Sequence, residues 1–177
     1  FRYLPQTPQT ERGDFDSWVA EAADSSDPLF FAVVDRSTGR AEGRQALMRI
    51  DAANGVMEIG HILWGPALSR TRAATEALYL CADLAFSSGF RRFEWKCDDA
   101  NAPSKKAAER FGFTFEGVFR QHLVYKGRNR DTAWFSIIDG EWPALRSAYE
   151  AWLDEANFDA SGTQLKGLRE LIAEVRQ

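Results

Sequence analysis

Apolar and polar side chains alternate along this chain with two different periods, and the switches between them mark the elements. The opening FRYLPQTPQTERGD is punctuated by Pro5, Pro8 and Gly13 and reads as a loop. Phe15, Trp18, Val19 and Ala22 then share one face of a short helix over FDSWVAEAA, with Asp14 placed to cap it. After Asp27-Pro28, LFFAVVD is an apolar run that predicts a buried strand. STG turns the chain, GRQALMRI makes the next strand, and DAANG is a tight hairpin turn into VMEIGHILW.

The period then changes. Leu78, Cys81, Ala82, Ala85 and Phe86 fall at i, i+3, i+4, i+7 and i+8, one face of a helix that Gly89 stops. RRFEWKCD predicts a strand. DANAPSKKAAERFGF predicts a second helix, capped by Asn101, with Pro103 in its first turn and Gly112 at its end. From Phe113 to Tyr125 strict alternation returns: Phe113, Phe115, Phe119, Leu123 and Tyr125 face one way, and Glu116, Arg120, His122 and Lys126 the other. KGRNRD reads as a turn and TAWFSIID as the returning strand. Two amphipathic helices, around WPALRSAYEAWLDEA and GTQLKGLRELIAEV, flank an NFDASG loop. This order predicts a mixed α/β fold, a largely antiparallel sheet flanked by helices, and not a doubly wound nucleotide-binding core.

Composition narrows the function classes. With 177 residues, 45% hydrophobic and 27% charged, the chain suits one globular domain. A formal net charge of -4 provides no global field for nucleic acid. No apolar run reaches the roughly 20 residues of a membrane span, and no leader pattern follows Phe1, which points to the cytoplasm. Cys81 and Cys97 are too few for a disulfide framework and read as small buried hydrophobes; His61 and His122 have no partner at metal-ligand spacing, so no metal site is expected.

The chemistry gathers around SRTRAATEALYL, residues 69–80, where a strand gives way to a helix. A helix start offers unpaired N–H groups and the positive end of its dipole to an anion, and Arg70 and Arg72 add charge. The same arginines also fit a solvated helix start. Neither GxxxxGK[ST] nor GxGxxG is present.

MEIGHILW, SRTRAATEAL and NAPSKKAAERFGFTFEG, in that order and spacing, resemble the GNAT superfamily of acetyl-CoA-dependent N-acetyltransferases, in the branch of the ribosomal-protein N-terminal acetyltransferases RimJ and RimL. The resemblance runs from about residue 28 to 140. It implies a GNAT-like domain over 1–140 and a helical extension over 141–177 packed on it, with the first strand and helix of the family missing from this chain. In the family a pyrophosphate loop of pattern [Q/R]-x-x-G-x-[G/A] precedes an ATEAL-like helix. Anchored on ATEAL, Ser69 stands at the first position, Arg72 at the glycine and Ala74 at the last. If the backbone is already entering right-handed helical geometry, Arg72 can point outward while its N–H faces the phosphate. The expected cofactor contacts are then Ser69, Arg70, Thr71, Arg72, Ala73, Ala74 and Thr75, the strand amides of Ile62, Leu63 and Trp64, and Asn101 and Lys105, with Lys106 beside them.

The implied reaction moves an acetyl group from acetyl-CoA to a primary amine, on a protein N-terminus or a small molecule. It needs a proton acceptor, a stabiliser for the oxyanion and a proton donor for the thiolate. Glu58 matches the family's general-base position; its other reading is an exposed or cross-strand-paired glutamate. His61, placed by alternation on the opposite strand face, and His122 are further candidates. The family's acidic tyrosine is replaced by Ala108, which leaves Ser104 as the hydroxyl, or as an ordinary first-turn serine. Trp95, Trp134, Phe135 and Tyr125 are candidates for the acceptor pocket or, more simply, core, and the YLPQTPQ loop for a lid. The rival to an enzyme is a non-catalytic acyl-CoA-binding or interaction module. Apolar faces on the terminal helices permit a homodimer.

Overall fold

The computed structural model describes residues 3–4 and 8–176. Its elements are α1 (Arg12–Asp24), β1 (Leu29–Asp35), β2 (Arg40–Asp51), β3 (Val56–Trp64), α2 (Arg72–Ser87), β4 (Arg92–Asp98), α3 (Ala102–Arg110), β5 (Thr114–Tyr125), β6 (Arg128–Ile138), α4 (Trp142–Leu153), a 3-10 turn (Glu155–Asn157) and α5 (Leu168–Val175). They form the expected mixed fold. The sheet order is β1-β2-β3-β4-β6-β5. Hairpins make β1–β2, β2–β3 and β5–β6 antiparallel, β6 returns antiparallel beside β4, and the crossover through α2 makes β3 and β4 parallel.

That parallel pair sets the shape of the site. Its register runs from Val56 opposite Arg92 to Ile59 opposite Trp95 and stops there. Both strands continue, β3 to Trp64 and β4 to Asp98, so they part in a V.

Alternation along β4 explains the two faces of the sheet. Phe93, Trp95 and Cys97 point into a core shared with Leu78, Cys81 and Ala85 of α2 and with Leu145 and Tyr149 of α4. Arg92, Glu94 and Lys96 point to the other face. The predicted stripe on α2 is buried, apart from Phe86, which is partly exposed and stacks on Trp142 at 5.0 Å. The last two helices close on the end of α3. Gly112 adopts φ +85°, and a Cβ there would lie 2.8 Å from Leu145. Tyr149 donates its hydroxyl to the Phe111 carbonyl at 2.9 Å, and Arg176 donates to the Gly112 carbonyl at 2.6 Å. Among the described residues no helix is long and apolar enough to cross a membrane.

Several local expectations are corrected. The first helix begins at Arg12 with Glu11 as N-cap, so Asp14 lies in the first turn, where its charge suits the dipole, and caps nothing. No residue of α1 is buried; Phe15 and Val19 remain exposed, and Trp18 packs edge-on against Phe30 at 5.7 Å. The run LFFAVVD is the edge strand β1, half-covered at best: Phe31 packs against the core, whereas Phe30 and Ala32 line a groove and Leu29 and Val34 are exposed. Alternation in β5 is broken by irregularities after Phe115 and after Phe119, which leave both rings exposed. The hairpin turn is only Lys126-Gly127, since β6 already starts at Arg128. The last helix starts at Leu168; the preceding GTQLK stretch is loop, with Gln164 bridging to Phe158.

Leu145→Ala empties a fully buried position between α3, α4 and α5 and is expected to cost roughly 2–5 kcal/mol of stability. Urea denaturation read by tryptophan fluorescence measures it.

Candidate active site

Where β3 and β4 part, the sheet opens into a cavity of about 210 Å³. Its walls include Glu58, His61 and Ile62 from β3, Trp95, Lys96 and Asp98 from β4, Asn101 and Ser104 from α3, and His122, Arg130 and Thr132 from the last hairpin. Tyr3 and Leu4 also border it; Pro5, Gln6 and Thr7 of the same expected lid lie outside the described residues.

Glu58 stands on the last turns of the paired register, one residue before Ile59, and is 5% exposed. It is therefore not the solvent-facing strand glutamate that alternation allows. Its Oε2 lies 3.0 Å from Lys96 Nζ and 3.3 Å from Arg49 Nε. Burial pushes its carboxyl above the ordinary carboxylate range, with the Lys96 and Arg49 charges opposing. Lys96 continues the chain of charges: its Nζ is 2.7 Å from Glu94 and lies 3.8 Å above the centre of the Trp134 ring. Arg92 then joins Glu94 at 2.8 Å to Glu116 at 2.6 Å, and Ser136 donates to Glu116 at 2.7 Å. This row of alternating charge spans five strands of the open face, from Arg49 on β2 to Glu116 on β5.

His61 and Glu58 both border the cavity because β3 is irregular beside His61, whose φ is +49°, so simple alternation does not separate them. Burial lowers the His61 pKa, helped by Arg44 and Arg49, which favours its neutral imidazole. His122 shares a hydrogen bond of 3.0 Å with Thr132 Oγ1.

Ser104 Oγ accepts a hydrogen bond from Trp95 Nε1 at 3.0 Å, which fixes the oxygen and leaves its own proton to donate. Its backbone N–H is capped by Asn101 at 3.3 Å, as the sequence predicts. Lys105 is paired with Asp99 at 2.8 Å. Ala108 is fully buried core. Cys97 lies near Ser104 and its thiol is pushed up by burial; burial likewise pushes Cys81 up to about 11. Both behave as buried hydrophobes.

At the start of α2, Thr71 is the N-cap: its hydroxyl accepts from Ala74 N–H at 3.2 Å and donates to the Leu68 carbonyl at 2.7 Å. The N–H groups of Arg72 and Ala73, in the first turn, have no acceptor among the described residues. Arg72 is the first helical residue, so the position where the family pattern has glycine needs no left-handed geometry here. The left-handed residue is Arg70, at φ +66°. The Arg72 guanidinium donates to the Leu153 carbonyl and sits 5.0 Å from the centre of the Phe158 ring, away from the helix mouth. Ser69 donates to the Trp64 carbonyl at 3.1 Å. Thr75 is buried and accepts from Arg110 at 3.1 Å, so its side chain serves helix packing and not a surface anion. Leu63 borders a separate apolar groove beneath α1, and Trp64 donates to Gln45 at 3.3 Å.

The structure thus gathers Glu58, Ile62, Asn101 and Ser104 at one cavity and sets the first turn of α2 apart from it. Of the aromatic candidates, Trp95 and Phe135 are core, Trp134 backs Lys96, and Tyr125 donates its hydroxyl to the Leu4 carbonyl. Sequence reasoning passes over Lys96, Arg49 and Arg130. Their signal was available for Lys96 and Glu94, charged residues at alternate positions of a strand whose other positions are Phe93, Trp95 and Cys97.

Comparison with known proteins identifies the family. A family model described as an acetyltransferase (GNAT) domain matches residues 1–114. An uncharacterized N-acetyltransferase p20 of Bacillus licheniformis is 32% identical over 117 residues, 63% of this chain and 63% of that protein. A GCN5-related N-acetyltransferase from Brucella melitensis superposes with a TM-score of 0.95 at 58% identity, covering 98% of this chain and 79% of the other. A probable GNAT-family acetyltransferase from Chromobacterium violaceum gives a TM-score of 0.76 at 45% identity, over 81% of this chain and 72% of that one. With the parted parallel strands and the exposed first turn of α2, these likenesses mean that the chain belongs to the GNAT acetyltransferase family.

Proposed function

We propose that this protein transfers an acetyl group from acetyl-CoA to a primary amine, with Glu58 as proton acceptor and Ser104 as proton donor. The observation that carries the reading is a buried glutamate, poised by two cations, on the wall of the cavity at which β3 and β4 part. The affinity with the RimJ/RimL-like branch rests on NAPSKKAAERFGFTFEG, and an N-terminal amine and a small amine both fit that resemblance.

The residues present suit the cosubstrate. The first turn of α2 has N–H donors at Arg72 and Ala73 for a diphosphate, and the basic side chain that displaces glycine is turned toward Leu153 and Phe158. Beyond Ile59 the β4-facing edge of β3 has no strand partner, so Ile62 to Trp64 offer backbone groups to an extended amide-bearing arm. When bound, acetyl-CoA supplies an activated acetyl thioester.

The residues of the chain handle the protons. A carboxyl pushed above its ordinary range is a better proton acceptor near neutral pH than an exposed glutamate, directly or through a water molecule. Arg49 from β2 and Lys96 from β4 favour its ionised form; Glu94 opposes it. Lys96 thereby sets the balance, because it is shared between the two glutamates. Ser104, its oxygen held by Trp95, can give its proton to a leaving thiolate.

Glu58→Gln is expected to lower kcat/KM for thiol release from acetyl-CoA by about 10²-fold or more and to remove the acidic limb that its titration imposes. Activity that keeps both its level and its limb excludes Glu58 as the base. Lys96→Met removes a cation that favours the carboxylate, so the acidic limb moves to higher pH, by about 1–3 units. An unmoved limb breaks the link between the two residues. Ser104→Ala is expected to slow thiol release about 10²-fold without weakening acetyl-CoA binding measured by calorimetry.

A further inference from the structure

Most charged groups on the cavity wall have a partner. Glu58 has Lys96 and Arg49, Lys96 has Glu58 and Glu94, and Asp98 accepts the Ala100 N–H at 2.9 Å. Arg130 differs. It is the third residue of β6, opposite Leu123 of β5, and borders the cavity on the side of His122 and Thr132. Its Nε is buried with no hydrogen-bond partner, and no carboxylate of the described residues lies within ion-pair distance. Its guanidinium carbon sits 5.6 Å from the centre of the Tyr125 ring, which gives one face of the fork a rigid backing.

A guanidinium cannot shed its proton, so a half-buried one without a counterion calls for an anion from outside the chain. Its fork of donors suits a carboxylate. The cavity limits the rest of that molecule: about 210 Å³ is below the usual range for drug-sized ligands. With a proton acceptor for an ammonium on the β3 wall and a lone cation on the β6 wall, the site presents opposite charges to a small zwitterion. A polyamine would set a second positive charge against Arg130.

We propose that the acceptor is a small molecule bearing a carboxylate beside its primary amine, of the α-amino acid class, and that Arg130 binds this carboxylate. The proposal rests on the acetyltransferase reading for the fate of the amine, but the carboxylate site stands on its own geometry.

The test uses the full chain and pairs each common α-amino acid with its own carboxamide. The carboxamide keeps the amine, with a larger unprotonated fraction near neutral pH, while removing the negative charge. Binding is measured by calorimetry in the presence of CoA, and turnover by thiol release from acetyl-CoA. At least one acid is expected to exceed its amide by about ten- to a hundred-fold in both measurements. Arg130→Gln is expected to bring that ratio close to one, with Arg130→Lys intermediate because it keeps the charge and loses the fork. Equal affinity for acid and amide, or no binding of any amino acid, overturns the proposal. So does an Arg130→Gln variant that leaves the ratio intact or lowers acid and amide turnover alike, which would place Arg130 at the thioester. Acid-selective binding without thiol release would keep the carboxylate site and reject the acetyl transfer; turnover on amides with no preference for acids would do the reverse. If Arg130→Gln does not fold, the wild-type ratio and the lysine variant still decide.

Discussion

Two neighbouring strands stay hydrogen-bonded for four rungs and then separate, and that parting organises the rest of the molecule. It gives β3 an unpaired edge inside the sheet, a place that ordinary sheets do not leave open. It lets side chains from both faces reach one cavity: Trp95 from the core side holds Ser104, while Lys96 from the opposite side holds Glu58. The helix that links the strands starts at the same end, so its free N–H groups lie where strand ends and helix starts gather ligands in α/β units. The C-terminal helices reinforce the arrangement from the far side by locking onto Phe111 and Gly112 at the end of α3.

The row of charges on the open face answers a question of cost. A carboxylate as enclosed as Glu58 is expensive to ionise alone, and a lysine as enclosed as Lys96 equally so. Alternating their signs along Arg49, Glu58, Lys96, Glu94, Arg92 and Glu116 lets each charge be met by its neighbours. The row ends at exposed or half-exposed groups, Arg49 at one side and Glu116 at the other, where water completes the solvation. Only the interior members depend on one another fully.

The periodicities made the fold legible because each element buries a distinct face: the α2 stripe is read directly from Leu78, Cys81, Ala82 and Ala85. Reading failed where a strand has no single buried face. The edge strand β1 is as apolar as a core strand, and the irregularities of β5 discard the phase that alternation assumes. In the candidate site, motif position and capping logic pointed to Glu58, Asn101 and Ser104, which border one cavity. Lys96 and Arg130 were not legible, because their roles depend on which residues face them from other strands, and pairing register is not written in the local sequence. Thr75 shows the converse: it lies inside the expected loop by number, yet the helix rotates its hydroxyl into the packing layer toward Arg110.

Arg72 draws the tail of the chain into the affairs of the loop. A bulky cation stands where the family pattern allows no side chain, and it does no harm at the helix mouth because the Leu153 carbonyl and the Phe158 ring give it a berth. The two ends of this contact therefore depend on each other. Removing the stretch around Phe158 would take away the ring against which the Arg72 side chain lies, and a glycine at position 72 would leave the Leu153 carbonyl and that ring without their cation.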